Sequence, residues 1–167
     1  LPKFFLGIAE RLKEIKPEEI LQMGHQQRGR TIVAGGTDLY VQRGEQLAES
    51  SITLLNNGSE IPTAIASEGR VIIDARMTFE AFATDPLIKK HLQEIYDYNL
   101  LMASWPIRTR STIGGNLCNA SPIADMTCLL LALECSLALT SPDGQRRELP
   151  LSEFYLGYKQ LNKEPDE

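Results

Sequence analysis

A basic excess, long apolar runs and clusters of reactive side chains are what this chain lacks. It carries 17 Lys and Arg against 22 Asp and Glu, a formal net charge of −5 over 167 residues. That balance argues against nucleic acid or an anionic membrane as partner, since both select a basic face. No stretch approaches the roughly eighteen apolar residues that a membrane helix needs, and no signal peptide opens the chain. Cytoplasm is therefore the expected compartment. Histidine is scarce, and His25 and His91 fall on polar faces of predicted helices with no nucleophile or metal ligand beside them. Cys118, Cys128 and Cys135 are odd in number and lack C-x-x-C spacing, which excludes a disulfide framework and a structural zinc site. They also fall short of the four ligands usual for an iron–sulfur cluster, and by spacing they read as small core hydrophobes. With no Ser/His/Asp triad, metal-ligand set or P-loop lysine, no catalytic or metal-binding residue is assigned.

What is present is 43% hydrophobic content, enough to bury a core, and two glycine corners. The longer motif runs from Thr112 to Asp125, T-I-G-G-N-L-C-N-A-S-P-I-A-D. Gly114 and Gly115 can take positive φ without a Cβ clash, so the backbone can turn its N–H groups toward a ligand. Charge-assisted N–H bonds to an anion contribute roughly 1.5 to 3 kcal/mol each, so three or four would hold a diphosphate without lysine. Ser121-Pro122 can then open a helix at Ile123. The shorter motif, Ile32 to Leu39 (I-V-A-G-G-T-D-L), joins a β-branched run to Gly35-Gly36, with Thr37 or Asp38 placed to cap a helix from Leu39. Two such corners can face one pyrophosphate from opposite sides.

In chain order, Phe4, Phe5, Ile8, Leu12 and Ile15 form the apolar stripe of an amphipathic helix within residues 1–16. It either packs on its own domain or links to a preceding one. The start at Leu1 and the charged tail Lys163 to Glu167 read as a piece of something longer. A helix from Pro17 to Met23 ends before Gly24; the strand Thr31 to Ala34, a short helix Leu39 to Arg43 and a strand Ile52 to Leu55 follow, an order that favours parallel pairing. Asn56-Asn57-Gly58 is a turn and the expected subdomain boundary. Thr63 to Ser67 and Arg70 to Asp74 read as a hairpin around Glu68-Gly69. Thr78 caps a helix holding Phe79 and Phe82, and Asp85-Pro86 starts another. The stretch Leu87 to Ala103 continues helical, with Leu92, Ile95, Leu100 and Met102 in the core, and Trp105 packs. A buried helix from Ile123 to about Glu134 precedes a strand pair through Leu137 to Thr140 and back to Leu149, around Pro142-Asp143-Gly144. The fold class is α+β in two unequal lobes.

The motifs A-G-G-T-D and T-I-G-G-N-x-C-N-A-S-P-x-A-D, in this order, resemble the FAD-binding domain of molybdenum hydroxylases, the family of xanthine dehydrogenase, carbon monoxide dehydrogenase and aldehyde oxidoreductase flavoprotein subunits. The resemblance covers roughly residues 17–167. It implies the two-lobed fold shared with p-cresol methylhydroxylase and vanillyl-alcohol oxidase: a small α/β lobe at 17–58, and at 59–167 a larger, mainly antiparallel lobe, incomplete at its C-terminal end. It places cofactor contacts on Ile32, Ala34, Gly35, Gly36, Thr37, Asp38 and Leu39, and on Thr112, Ile113, Gly114, Gly115 and Asn116. Met102 falls where relatives set a side chain against adenine, and Cys118 lies within the motif near the cofactor. Asp38 is either a helix cap or an acceptor for a cofactor hydroxyl. Ser121 either caps the next helix or meets the cofactor. Asp125 suits the helix dipole, and the resemblance makes it an acceptor for a ribose hydroxyl. Arg108 and Arg110 stand ready to raise the potential for a dianion, and Thr109 departs from the asparagine common in the family.

The activity so implied is that of an oxidoreductase component. Substrate is oxidised at a molybdopterin centre in another domain or subunit. Electrons then pass through iron–sulfur clusters of a further domain or subunit to FAD, and from FAD to NAD or another acceptor. Xanthine dehydrogenase is the expected type. The alternatives are the FAD subunit of a carbon monoxide, aldehyde or nicotinate-type dehydrogenase, or a flavin-free assembly module. Flavin-ring contacts are expected mainly beyond Glu167.

Overall fold

In the computed structural model, which describes residues 6–8, 10, 13, 31–55, 62–164 and 167, Thr31–Val33 (β1) pairs with Ile52–Leu54 (β2). The pair is parallel, as the β-α-β order anticipates, with Val33 opposite Leu54 and the Leu55 N–H donating to Val33 O at 2.9 Å. The N-terminal stripe of Phe4, Phe5, Leu12 and Ile15, the helix from Pro17, His25 and the Asn56-Asn57-Gly58 turn lie outside the described residues.

The crossover helix α1, Leu39–Ala48, runs beyond the expected end at Arg43. Arg43 leaves helical geometry (φ −139°, ψ 26°), and the helix resumes through Gly44 because Leu47 beyond it is buried. A kink satisfies the burial that a stop would forfeit.

Ile65–Ser67 (β3) and Arg70–Ile72 (β4) form the expected hairpin. Its two corner residues, Glu68 (φ 49°) and Gly69 (φ 76°), are both left-handed, the turn whose twist matches that of paired strands. The helical layer then begins with Phe79–Thr84 (α2), capped by Thr78 Oγ1 accepting from Ala81 N at 3.1 Å. Asp85 caps Pro86–His91 (α3), with Oδ1 accepting from Leu87 N at 2.8 Å and Ile88 N at 3.1 Å. Its other oxygen accepts from Ala64 N at 3.1 Å, joining the hairpin's approach to the helices.

The single helix expected over Leu87 to Ala103 is broken. Leu92 (φ −126°, ψ 81°) ends α3, Ile95–Leu100 (α4) is separate, and Ala103 turns left-handed (φ 44°). The break rotates Leu100 outward to 49% exposure, while Ile95 and Met102 remain core. Trp105, expected to pack, opens the short helix Trp105–Arg108 (α5) and is 61% exposed.

Ile113–Asn119 (α6) ends on the left-handed Ala120, and Asp125–Ala132 (α7) starts two residues later than expected. The Ala124 N–H donates to Ser121 O at 3.2 Å, a turn that leaves Ile123 at 84% exposure. Cys118 and Cys128, expected as core residues, sit on the outward faces of α6 and α7 and are exposed; Cys135 is half-buried.

Ser136–Thr140 (β5) and Arg146–Pro150 (β6) pair antiparallel, as do Tyr155–Gly157 (β7) and Gln160–Leu161 (β8). Among the described residues these pairs and the β3–β4 hairpin are separate two-stranded ribbons, where one mainly antiparallel sheet was expected. Helices occupy the space between them: Leu151 and Phe154, in the turn after β6, pack with Phe82, Met77 and Met126 in the main core. The architecture is α+β, and no described helix is long and apolar enough to cross a membrane.

Candidate functional site

The first glycine corner touches the segment that leads into the second. A Cβ on Gly35 would stand 1.8 Å from Arg110 O, so only glycine lets these two backbones abut. Next to this contact the hydroxyls of Thr37 and Ser111 share a 3.0 Å hydrogen bond. Gly36 turns the chain at φ 69°, facing the Tyr40 ring where a Cβ would meet it at 2.5 Å.

The corners differ in what they leave free. At the first, Tyr40 N donates to Gly36 O at 2.9 Å, closing the opening turn of α1. No described residue accepts a hydrogen bond from the backbone N–H of Gly35, Gly36, Thr37, Asp38 or Leu39. Asp38, expected among the helix caps, makes no side-chain cap; its carboxylate receives the Gln42 side-chain amide instead. The row of N–H groups at the positive end of α1 is thus open to an anion.

At the second corner the N–H groups from Ile113 to Asn116 are already engaged. Ile113 N donates to Met77 O at 3.0 Å, Gly114 N to Ala75 O at 2.7 Å, and Asn116 N to Thr112 O at 3.0 Å. Gly115 N reaches the capping Thr112 Oγ1 at 3.1 Å. Both glycines are helical, so the expected positive-φ turn with inward N–H groups does not form here. Gly114 has a different use: a Cβ there would lie 2.9 Å from Ala75 Cβ and 3.0 Å from its carbonyl oxygen. The missing side chain lets α6 lie on the turn before Thr78, a packing requirement that cannot be told from a ligand-facing one by a G-G pair alone.

Between the corners lies a pocket of about 300 Å³, at the small end of the range for ligand sites. Of the residues selected from sequence, Thr37, Asp38, Met102, Asn116, Ser121 and Asp125 line it. Phe79, Ala103, Ile107, Ser111, Asn119, Ile123 and Ala124 complete the wall; none was selected as a site residue, although Asn119, Ile123 and Ala124 lie within the longer glycine motif. Ala34, Gly35, Gly36 and Leu39 shape the first corner, whereas Thr112 and Ile113 are buried beneath the second. Ile32 faces outward on β1, and neither it nor Cys118 lines the pocket. A larger hollow of about 510 Å³ near Leu131, Cys135 and Leu151 contains none of the selected residues.

The polar lining has an uneven donor and acceptor balance. Asp38 and Asp125 bring two carboxylates, and no lysine or arginine lines the pocket. Arg108, expected to raise the potential for a dianion, is buried instead: Nε donates to Glu80 Oε2 at 3.1 Å, and Nη1 to the carbonyls of Met102 at 3.1 Å and Ala103 at 2.8 Å. It holds the left-handed Ala103 wall in place. Tyr98 donates to Asp125 O at 3.1 Å, and its phenol is pushed above the ordinary value by burial first and by the Asp125 charge second. Carboxylates of this kind accept from ligand hydroxyls, while an anionic group is left to the free N–H row.

A family model described as the FAD binding domain in molybdopterin dehydrogenase matches residues 13–167. The nicotinate dehydrogenase FAD-subunit of Eubacterium barkeri is 29% identical over 134 residues, covering 78% of this chain and 45% of that protein. A xanthine dehydrogenase of Dictyostelium discoideum is 40% identical, but over 65 residues, 36% of this chain and 5% of that protein. Among solved structures, a Cu,Mo-CO dehydrogenase chain in a cyanide-inactivated form superposes with a TM-score of 0.73 at 26% identity, covering 90% of this chain and 51% of that one. The chain spans about half the length of the nicotinate and CO dehydrogenase relatives it matches.

Proposed function

The chain belongs to the family of FAD-binding domains of molybdopterin dehydrogenases, and we propose that it is the flavin-holding relay of such an enzyme. The observation that carries this reading is the free N–H row from Gly35 to Leu39, opening beside a pocket whose carboxylates suit hydroxyls. Diphosphate and sugar hydroxyls are what a flavin dinucleotide presents at that end, so the residues fit the cofactor. FAD, when bound, supplies the redox chemistry by taking up electrons singly or in pairs. The chain's own residues bind and orient it. The Gly35 to Leu39 N–H groups hold the diphosphate, and Asp38 and Asp125 accept hydroxyls. Met102, Phe79 and Ile107 exclude water on the apolar side. Ala34, Thr112, Ile113, Gly114 and Gly115 support the corners from behind, Ile32 and Cys118 lie outside the pocket, and Ser121 closes the rim.

Electrons arrive from an iron–sulfur domain or subunit and ultimately from a molybdopterin-binding one, and leave to NAD or another acceptor, in the cytoplasm. Residues 17–58 and 59–167 form the two lobes of a vanillyl-alcohol oxidase-like fold, with 1–16 leading in. The nicotinate dehydrogenase subunit matches over 78% of the chain, and the xanthine dehydrogenases over shares that run from 36% to 95% of it. The parent enzyme therefore reads as well as a nicotinate or carbon monoxide type as a xanthine type. The test is uptake of FAD by the full chain, followed by flavin fluorescence quenching and by ultrafiltration. Retained, quenched flavin is expected. If all of it passes the filter, the chain is an assembly module without cofactor.

A further inference from the structure

Asn116 lines the pocket from α6, and its side chain is held from behind. Thr127, one helix onward on α7 and 8% exposed, places its hydroxyl 3.0 Å from Asn116 Oδ1. The same hydroxyl lies 3.5 Å from the phenol oxygen of Tyr155 on β7. Tyr155 donates to Leu117 O at 3.2 Å.

The protons in this chain can be counted. Leu117 O can only accept, so the single phenolic proton of Tyr155 is committed to it. Tyr155 Oη is then an acceptor toward Thr127, and the one hydroxyl proton of Thr127 must choose between two oxygens. The contact to Asn116 is the shorter by half an ångström and takes it. An amide whose oxygen is held in this way turns its NH2 to the other side. Two carboxylates, Asp38 and Asp125, line the pocket on that side, and the hydrogen bond between Thr37 and Ser111 uses one of their two hydroxyl protons. Beside Asn119 and Ser121, which also line the pocket, Asn116 adds two protons for a ligand's acceptor oxygen.

We propose that Thr127, seated against Tyr155, is a positioning residue that locks the Asn116 amide with its NH2 toward the pocket, where it donates to an acceptor oxygen of the bound nucleotide. This rests on the flavin-binding reading above. Without the lock, the two amide orientations differ little in energy, and one of them would present a carbonyl oxygen to the ligand's own oxygens.

The experiment measures FAD affinity by fluorescence quenching on the full chain and on three variants. Thr127→Val keeps the side chain's shape and removes the donor, and should weaken FAD roughly three- to tenfold, the worth of one oriented hydrogen bond. Thr127→Ser keeps the hydroxyl and should bind within about twofold of the native chain. On an Asn116→Ala background, Thr127→Val should change affinity less than about twofold, because no amide is left to orient. Should Thr127→Val fold poorly, the side-chain NH2 resonances of Asn116 in the unmutated chain serve instead: they should shift on adding FAD. Native chain that binds FAD while Thr127→Val binds it equally well, or loses as much without Asn116, overturns this inference alone, as do unmoved NH2 resonances. A native chain that leaves FAD free overturns the functional reading and this inference together.

Discussion

Thr37 and Ser111, 74 residues apart in the chain, share a hydrogen bond of 3.0 Å at the seam where the first glycine corner meets the segment leading into the second. The seam is backbone against backbone on one side and hydroxyl against hydroxyl on the other. Nothing in it can give way by rotating a long side chain.

Gly35→Ala is therefore expected to be far more costly than its one methyl suggests. The new Cβ would overlap Arg110 O at 1.8 Å, and both partners are main chain. Forcing the corners apart should cost about 1–3 kcal/mol, as overpacking does, and should release FAD. Urea unfolding of the variant, followed by far-UV circular dichroism, measures the first effect, and an unchanged midpoint would show that the contact is not as tight as drawn.

Arg108→Met tests the wall beneath Ala103. It would leave Glu80 with only the 3.4 Å Asn99 amide contact, and it would remove the donor shared by Met102 O and Ala103 O. Breaking one side of a buried pair typically costs about 3–5 kcal/mol. Arg108→Lys should rescue little, since a single ammonium cannot serve Glu80 and two carbonyls in the planar fork that guanidinium provides. Thermal or urea denaturation of both variants decides this.

Asp85→Ala should destabilise by about 1–2 kcal/mol through lost capping alone, and by more because the Ala64 N–H is stranded as well. Asp85→Asn keeps an acceptor oxygen for only part of the set and should fall between. An Asp85→Asn midpoint equal to that of the native chain would show that the second carboxylate oxygen contributes nothing.

The turn that receives the second glycine corner should be sensitive to acid. Asp74 accepts from Arg76 N at 2.8 Å and from its guanidinium at 2.6 Å, and Met77 N donates to Asp74 O at 2.9 Å. The Arg76 side chain holds the Asp74 carboxyl below its ordinary 3.8, with burial opposing. A depressed folded value means that the stabilisation is fully present above 3.8 and is lost as pH falls through the folded value. Ala75 and Met77, which take the Gly114 and Ile113 N–H groups, should loosen in that window. A carbonyl-carbon NMR titration should place the Asp74 midpoint below 3.8 in the native chain. Arg76→Gln should bring it back only partway, since the backbone N–H of residue 76 still donates.

Much of the fold was written locally. Thr78, Asp85-Pro86, Glu68-Gly69 and Pro142-Asp143-Gly144 act through bonds that close within a few residues, so the caps and corners they announce are where the structure has them. The helix breaks at Leu92 and Ala103 carry no glycine or proline to signal them, and they follow from what Ile95 and Met102 must bury. Both glycine motifs were legible as motifs, because adjacent glycines between an extended run and a helix start are uncommon without a reason. Which reason applies was decided in three dimensions. Gly35-Gly36 leaves its N–H row free, whereas Gly114-Gly115 gives its own to Ala75 and Thr112. Arg108 likewise looked like a free cation until Glu80 and two carbonyls closed around it. A residue's propensities belong to itself and its near neighbours; the partner of a polar group far along the chain exists only once the chain has folded, and that partner determines whether the group serves a ligand or the protein.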